Sequence, residues 1–251
     1  YYRAIEYVIS FFMLLGGINF LLHYRFFVGN FRDAVENTEF RVFLGIVIAC
    51  TGMILLDRVV RGLPVNPEAD FRHTLFTVIS LLTTTGYGTT DINLPFFPVF
   101  SKQVFILLMV IGGCVGSTGG GFKVLRITIL WKAFVGQIRK LRLPRRAVSE
   151  VVVDREIIPD TELKRIAALF FGWLFLITTG GLVTAFFTEH DSWASFSCMF
   201  SAVGNIGPCY ISVAEMSQLP VVVKMVLVLG MLAGRLEILP VLLIFSSRAW
   251  K

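Results

Sequence analysis

Runs of apolar residues separated by short polar stretches make up most of the chain. Five runs, residues 4–22, 42–60, 104–133, 166–187 and 221–245, approach the roughly 20 residues that a helix needs to cross the hydrocarbon of a bilayer. Two others, residues 71–82 and 193–202, have about half that length, so they predict short helices that are buried or re-enter the membrane from one side. The pattern predicts an all-α integral membrane protein.

The apolar pattern repeats within the chain. Asp70 and Gly86 recur as Asp191 and Gly207, each pair 16 residues apart and the two pairs offset by 121 residues. Long apolar runs flank both pairs, which predicts two copies of helix, short helix, glycine loop and helix. Residues 4–22 have no counterpart and are interpreted as the closing helix of an earlier copy that is absent here, so the chain is expected to be a fragment.

Charge sets the expected orientation. The net charge of +6 accompanies a mean hydropathy of +0.75, and nine of the 23 basic residues lie within residues 132–165. Such a segment is typical of a cytoplasmic loop under the positive-inside rule and does not require a nucleic-acid partner. Residues 62–73 and 189–219 are then outside, and residues 23–41 and the C-terminus inside. Within the loop, β-branched residues over 148–158 predict a short hairpin.

A glycine-broken loop follows the first short run and reads T-T-T-G-Y-G-T-T-D over residues 83–91. The preceding half-helix would direct the negative end of its dipole toward mid-membrane, and glycines would turn successive carbonyls to one side. A row of carbonyls can replace the hydration shell of a cation, as in a potassium filter. An ordinary turn between helices is the alternative. The second copy, G-N-I-G-P-C over residues 204–209, aligns at Gly207 but is a weak signal alone.

A second glycine cluster interrupts the run over residues 104–133. Six glycines with Ser117 and Thr118 lie within residues 112–121. The cluster lacks the Gly-Lys-Ser/Thr order of a phosphate-binding loop, because Phe122 separates Gly121 from Lys123. It predicts a helix broken into two halves with an intramembrane loop between them. Close helix packing through small residues is the alternative.

One arginine and four cysteines complete the candidate chemistry. Arg235 is predicted well inside the last spanning helix, where a charge is costly and suggests a functional site. The carbonyls of the glycine cluster are candidate acceptors, and a structural salt bridge to another helix is the alternative. Glu237, two residues on, would face away from Arg235. The four cysteines show neither ligand spacing nor a disulfide framework.

Four motifs in order, T-T-T-G-Y-G-T-T-D, G-S-T-G-G-G-F-K, S-A-V-G-N-I-G-P and M-L-A-G-R-L-E-I, resemble the Trk/Ktr/HKT superfamily of cation transporters, most closely its bacterial Trk potassium-uptake branch. The opening G-G-I-N-F-L-L-H-Y-R is also similar to the inner end of that family's second repeat. The resemblance implies helix–pore-loop–helix repeats around a pseudo-fourfold ion pore. It divides the chain into residues 1–29 as a closing helix, 41–135 as the third repeat, 136–163 as a cytoplasmic loop and 164–251 as the fourth repeat.

The resemblance implies two sets of site residues. The filter residues would be Thr84, Thr85, Gly86, Tyr87, Asn205, Ile206, Gly207 and Pro208, with potassium at Thr84, Thr85, Gly86, Asn205, Ile206 and Gly207. The gate would comprise Gly112, Gly113, Gly116, Ser117, Thr118, Gly119, Gly120, Gly121 and Arg235. Cys209 stands where relatives often have glycine.

The implied protein is a multi-pass subunit of a bacterial inner membrane, surrounded by lipid, with a cytoplasmic C-terminus. A homodimer, a cytoplasmic nucleotide-binding regulatory subunit, transported potassium and no organic cofactor are expected. Passage would be down the gradient or coupled to another ion. A sodium-passing family member is the nearest alternative. A membrane enzyme or nucleotide-driven pump subunit is the alternative from another class, disfavoured by the absence of a Walker lysine, acidic metal-binding clusters and a soluble domain.

Overall fold

The computed structural model describes residues 2–29, 31–64, 66–142, 150–154, 156–238, 240 and 241. Over these residues the regular secondary structure is helical apart from one short hairpin. The helices are α1 (Tyr2–Gly16), α2 (Phe20–Phe27), α3 (Phe31–Glu36), α4 (Thr38–Val60), α5 (Pro67–Leu82), α6 (Val99–Val110), α7 (Val124–Lys140), α8 (Asp160–Phe187), α9 (Ser192–Gly204), α10 (Val213–Gln218) and α11 (Val221–Arg235). The strands are β1 (Val151–Val153) and β2 (Glu156–Ile158).

Two three-helix units carry the predicted repeat. In the first unit α4, α5 and α6 pack together, and in the second unit α8, α9 and α11 do the same. Each unit has its own apolar core, with Phe43 and Phe105 buried in the first and Trp173 and Met199 buried in the second. Helices α5 and α9 are therefore each packed against the two other helices of their own unit.

The spanning segments differ from the expectation at both ends of the chain. Among the described residues, α4 and α8 are long and apolar enough to cross a membrane, and α1 with α2 passes the same test only as a pair bent by 100°. The expected continuous helix over residues 4–22 is thus wrong. The local sequence does indicate a break, because Gly16 and Gly17 disfavour a continuing helix. The Asn19 side chain then caps α2 by accepting a hydrogen bond from the Leu21 amide.

The last span is also interrupted. Helix α11 ends at Arg235, and Glu237 has a φ of +62°, so the run over residues 221–245 is not one helix within the described residues. Pro240 explains the position of the break, because its ring would clash with the carbonyl of residue 236 in a continuing helix. Arg235 accordingly lies at a helix end and is exposed, which corrects its predicted place well inside the helix.

The outer surfaces of the two long helices are apolar. Ile48 and Leu56 on α4, and Phe171, Phe175 and Leu182 on α8, are exposed large hydrophobic side chains. In a soluble protein such contiguous apolar surface would be costly, whereas hydrocarbon accommodates it. The chain is an all-α membrane protein.

The predicted hairpin is present. Strands β1 and β2 pair antiparallel, with Val151 opposite Ile158. Asp154 accepts hydrogen bonds from the Thr38 amide (2.9 Å) and from Asn37 Nδ2 (3.1 Å), so the hairpin contacts the start of α4. The flanking helices extend into the expected loop over residues 136–163. Helix α7 continues past its apolar run, and its last turn carries Arg139 and Lys140, since basic residues are favourable at a helix C-terminus.

A buried ion pair joins the first two elements of the first unit. Arg58 Nη2 on α4 lies 2.9 Å from Asp70 Oδ1 in the first turn of α5, and both side chains are less than 10% exposed. Arg58 also donates to the Phe96 carbonyl and lies 3.9 Å from the centroid of the Phe96 ring. The pair fixes the N-terminal end of α5 against α4.

Breaking this pair is expected to destabilise the first unit. Asp70→Ala leaves a buried guanidinium without its counter-charge, so the free energy of unfolding should fall by about 3–5 kcal/mol. Arg3→Ala is the matched control, because Arg3 pairs with Glu68 at 3.6 Å, both side chains are exposed, and such pairs contribute at most about 1 kcal/mol. Thermal unfolding of the detergent-purified protein measures both. Equal melting temperatures for the two variants would contradict the assignment.

Candidate ion filter and gate

The two glycine loops adopt the same backbone conformation. Thr84 and Asn205 each have a φ of +54°, and two residues further on Gly86 and Gly207 have φ values of +81° and +114°. Positive φ is costly for a non-glycine residue, so its occurrence at both equivalent positions is a constraint of the loop. Alternation of left-handed and ordinary backbone lets successive carbonyls face one side of the segment.

The same hydrogen bonds hold both loops to their short helices. The four bonds run from Thr84 N to Leu81 O (3.2 Å), from Thr85 N to Ser80 O (3.0 Å), from Asn205 N to Ala202 O (3.1 Å) and from Ile206 N to Ser201 O (3.0 Å). Each bond in one loop is related to its counterpart by the offset of 121 residues seen in the sequence. The two loops are therefore equivalent structures despite their different residues.

The loops lie beside each other. A Cβ added to Gly86 would overlap the carbonyl oxygen of Ile206, whereas one added to Gly207 would meet only Gly86 Cα at 3.7 Å. On one side the loops line a cavity of about 430 Å³, to which residues 86–92 and 207–209 contribute. Pro208 lines this cavity as well.

Side-chain hydrogen bonds also hold these loops in place. Ser80 Oγ donates to the Tyr87 carbonyl (2.6 Å), and Ser201 Oγ accepts from the Gly207 amide (3.0 Å). Asn205 Nδ2 donates to the Met231 carbonyl of α11 (3.1 Å), so its side chain faces that helix.

The glycine cluster forms a non-helical loop between α6 and α7, here called the intramembrane loop, over residues 111–123. Its two ends are joined by hydrogen bonds from Gly112 N to Phe122 O (2.9 Å), from Phe122 N to Val110 O (3.2 Å) and from Val124 N to Gly113 O (3.3 Å). Gly116 and Gly121 have φ values of +72° and +69°. The predicted break in the helix is present.

The intramembrane loop packs against both glycine loops, residues 83–91 and 204–209, here called the filter loops after their expected role. The Gly120 amide donates to Thr84 Oγ1 (2.6 Å), and a Cβ at Gly120 would come within 2.6 Å of the Gly204 carbonyl oxygen. A Cβ at Gly119 would lie 3.2 Å from the Thr83 carbonyl oxygen. A side chain at Gly120 would thus overlap the Gly204 carbonyl oxygen, and one at Gly119 would fit only if its neighbours moved slightly.

The bend between α1 and α2 also holds the intramembrane loop. Cys114 N donates to Gly17 O (2.9 Å), and Thr118 donates to Gly16 O through its amide (3.2 Å) and its hydroxyl (3.0 Å). These carbonyls are available because the helix ends there. The unexpected bend is therefore part of the site.

Three cationic side chains line a cavity beside the intramembrane loop, and the sequence had predicted one of them, Arg235, as a site residue. Arg235 Nη1 donates to the Thr118 carbonyl at 3.4 Å, and Lys123 Nζ donates to the Gly119 carbonyl. Arg126 on α7 pairs with Glu237, so Glu237 indeed has a partner other than Arg235. Within the part of the chain that the structure describes, Arg235 pairs with no carboxylate. These groups and residues 117–123 line a second cavity of about 200 Å³.

Glu39 is a site residue that the sequence analysis missed. It lies in the first turn of α4, is 3% exposed, and its Oε1 accepts from the amides of Val115 (2.6 Å) and Leu125 (3.2 Å). The carboxylate thus caps the positive end of α7 and one arm of the intramembrane loop together. Nothing in the local sequence indicates this contact, because its partners are 76 and 86 residues away.

Glu39→Ala is expected to loosen the intramembrane loop. Each buried amide left without an acceptor costs about 1–3 kcal/mol, so the melting temperature should fall and hydrogen exchange at Val115 should accelerate. Glu36→Ala is the matched control, because Glu36 faces solvent three residues earlier and pairs with Arg32 at 3.5 Å. Exchange at Val115 that is equally slow in both variants would argue against the anchor.

Short helices that end at paired glycine loops, together with an apolar exterior, are the features that the motif resemblance implies. A family profile described as TrkH, a cation transport protein, matches residues 1–250, and the chain belongs to this family. The resemblance seen in the motifs is thereby confirmed.

Individual relatives agree with this assignment. The chain is 30% identical over 256 residues to the Trk system potassium uptake protein TrkH of Escherichia coli K12. It is 31% identical over 259 residues to the TrkH of Halomonas elongata. Each match covers 99% of this chain and 51% of the relative. A crystal structure of the potassium transporter TrkH from Vibrio parahaemolyticus superposes with a TM-score of 0.89 at 28% identity, covering 99% of this chain and 53% of that one. The chain spans about half the length of these relatives.

Proposed function

We propose that this chain supplies two of the four filter segments of a potassium-uptake pore. The observation that carries the proposal is the matched pair of left-handed positions, Thr84 with Gly86 and Asn205 with Gly207, in two loops that lie side by side. Carbonyls presented by such backbone can replace water around a potassium ion. Potassium would be held by the carbonyls of residues 84–86 and 205–207.

The remaining segments would come from outside this chain. With residues 41–135 as one repeat and residues 164–251 as the next, two further repeats would complete a pseudo-fourfold pore. Residues 1–29 would then close the preceding repeat. The relatives, about twice as long, are consistent with this arrangement.

The intramembrane loop is proposed as the gate. It packs directly beneath both filter loops through Gly119 and Gly120, and it is held by anchors from α1, α4, α7 and α11. Lys123 and Arg235 place positive charge beside it, which would repel a cation leaving the filter. A loop held in this way closes the path, and its release would open it.

The protein is proposed to act as a multi-pass subunit of a bacterial inner membrane with its C-terminus in the cytoplasm. The excess of basic residues in the connection between α7 and α8 supports this orientation. A homodimer, a cytoplasmic nucleotide-binding regulatory subunit and coupling to another ion rest on the resemblance. The family consists of ion transporters, so an enzyme is not proposed.

Growth of cells that lack potassium uptake tests the proposal. The full-length protein containing this chain should restore growth at low potassium, and rubidium uptake by the same cells should increase. Residues 1–251 expressed alone should do neither, because two segments leave half of the coordination shell unfilled. Restored sodium uptake without potassium uptake would identify a sodium-passing member instead, and rescue by residues 1–251 would contradict the two-segment assignment.

A further inference from the structure

Two cysteines meet behind the filter loop of the second unit. Cys198 Sγ on α9 lies 3.3 Å from Cys209 Sγ, two residues beyond Gly207, and both thiols are free. They are 11 residues apart and so are brought together by the return of the loop along its own short helix. The disulfide bond length is about 2.05 Å, so a small movement would join them.

The pair continues a row of contacts between α9 and the outer part of the loop. Ser201 accepts from the Gly207 amide (3.0 Å), and Ser197 accepts from the Tyr210 amide (2.8 Å). Residues 197, 198 and 201 share one face of the helix, because three and four residues separate neighbours on a helical surface. The contact between the two thiols is the weakest of these three interactions, since S–H is a poor hydrogen-bond donor.

The first unit has no such pair. At the offset of 121 residues, Cys198 and Cys209 correspond to Thr77 and Gly88. Thr77 bonds to the His73 carbonyl of its own helix (2.8 Å). Any chemistry of the thiols would thus act on one filter segment and leave its neighbour unchanged.

Access comes from the outer cavity. Cys209 is among the residues that line the cavity of about 430 Å³ above the filter loops, whereas Cys198, 1% exposed, lies behind it. A small oxidant dissolved in this cavity would meet Cys209 first. Cys198 is then placed as the resolving thiol.

We propose that Cys198 and Cys209 are a redox modification site whose oxidation by a small peroxide fastens the second filter loop covalently to α9. Cys209 sulfur attacks one peroxide oxygen, the O–O bond breaks, and the departing hydroxide takes the thiol proton to form water. Cys198 sulfur then attacks the resulting sulfenic sulfur, the S–O bond breaks, and the second hydroxide leaves with the Cys198 proton. Two thiols are oxidised to one disulfide, and one peroxide is reduced to two waters.

The expected consequence is a more rigid filter segment. Selectivity depends on carbonyls being held at the spacing that suits potassium, and the disulfide would prevent Cys209 from moving outward. The potassium-to-sodium flux ratio should therefore rise on oxidation and return on reduction. This functional part rests on the proposed filter, whereas the thiol chemistry does not.

Full-length protein treated with hydrogen peroxide, then unfolded and alkylated, tests the chemistry by peptide mass spectrometry. Alkylation of Cys198 and Cys209 should be lost together and restored by a thiol reductant, and Cys50 should remain alkylated as the internal control. In Cys198→Ser or Cys209→Ser protein, the remaining thiol should not form this link. A pair already linked in the untreated protein would also support the site. Two thiols still alkylated after peroxide, or oxidation that stops at Cys209, would overturn it.

Flux in liposomes tests the consequence. The parent should show a reversible rise in the potassium-to-sodium flux ratio after peroxide, and both serine variants should show none. Formation of the link with an unchanged ratio would overturn the filter consequence. The proposed potassium function would be untouched by that result, because the growth test uses untreated cells.

Discussion

Gly86→Ser in the full-length protein is expected to lower the potassium-to-sodium permeability ratio roughly tenfold or more. A side chain at a positive φ costs about 1–2 kcal/mol, and every 1.4 kcal/mol lost from the preference for potassium is a factor of about ten. The new Cβ would in addition overlap the Ile206 carbonyl oxygen, which is itself a proposed ligand. Both the Gly86 and the Ile206 carbonyls would therefore be displaced.

Neighbouring glycines provide graded controls for this experiment. Gly207→Ser should reduce selectivity less, because its φ of +114° is equally unsuited to serine but the added Cβ has 3.7 Å of clearance from Gly86 Cα. Gly88→Ala should leave selectivity unchanged, since Gly88 is not among the positive-φ residues and a Cβ there would meet only Thr90 O at 3.7 Å. Reversal potentials under mixed potassium and sodium give the ratios. Similar ratios for Gly86→Ser and Gly88→Ala would remove Gly86 from the filter.

Loss of the charged anchors is expected to increase ion flux without changing selectivity. Arg235→Ala removes one hydrogen bond to the Thr118 carbonyl, and a bond from a charged donor contributes about 1.5–3 kcal/mol when buried. Because Arg235 is exposed and this bond is 3.4 Å long, its contribution is at most about 1 kcal/mol, and the unregulated flux should rise by up to about fivefold. Lys123→Ala combined with Arg235→Ala should exceed either single change. Deletion of part of residues 116–121 should have the largest effect.

The measurement is potassium flux into liposomes at matched protein amounts, without a regulatory partner. Arg165→Ala is the control, because Arg165 is an exposed cation on α8 whose nearest acid is Glu162 at 3.9 Å. The growth-based test of uptake cannot distinguish an open gate from a regulated one, so the liposome comparison is needed. Flux no greater than that of the parent in the double variant and the deletion would show that the intramembrane loop is not a closed gate.

Local sequence was sufficient for the features that depend on near neighbours. The half-length runs before Gly86 and Gly207 predicted the short helices, because the number of consecutive apolar residues limits how far a helix extends in a membrane. Glycine spacing predicted the loop between α6 and α7, because six glycines destabilise a helix wherever it lies. The β-branched residues over 148–158 predicted the hairpin of β1 and β2, because such side chains favour extended backbone.

Tertiary packing decided the remainder. The capping of α7 by Glu39, the hydrogen bond from Thr118 to Gly16 and that from Arg235 to Thr118 join residues 76 to 117 positions apart, so no local pattern indicates them. The sequence analysis saw four unrelated cysteines, and only the return of a filter loop along α9 brought two of them together. A sequence shows which residues favour a helix or a turn, whereas the direction in which each helix leaves its turn sets which distant groups meet.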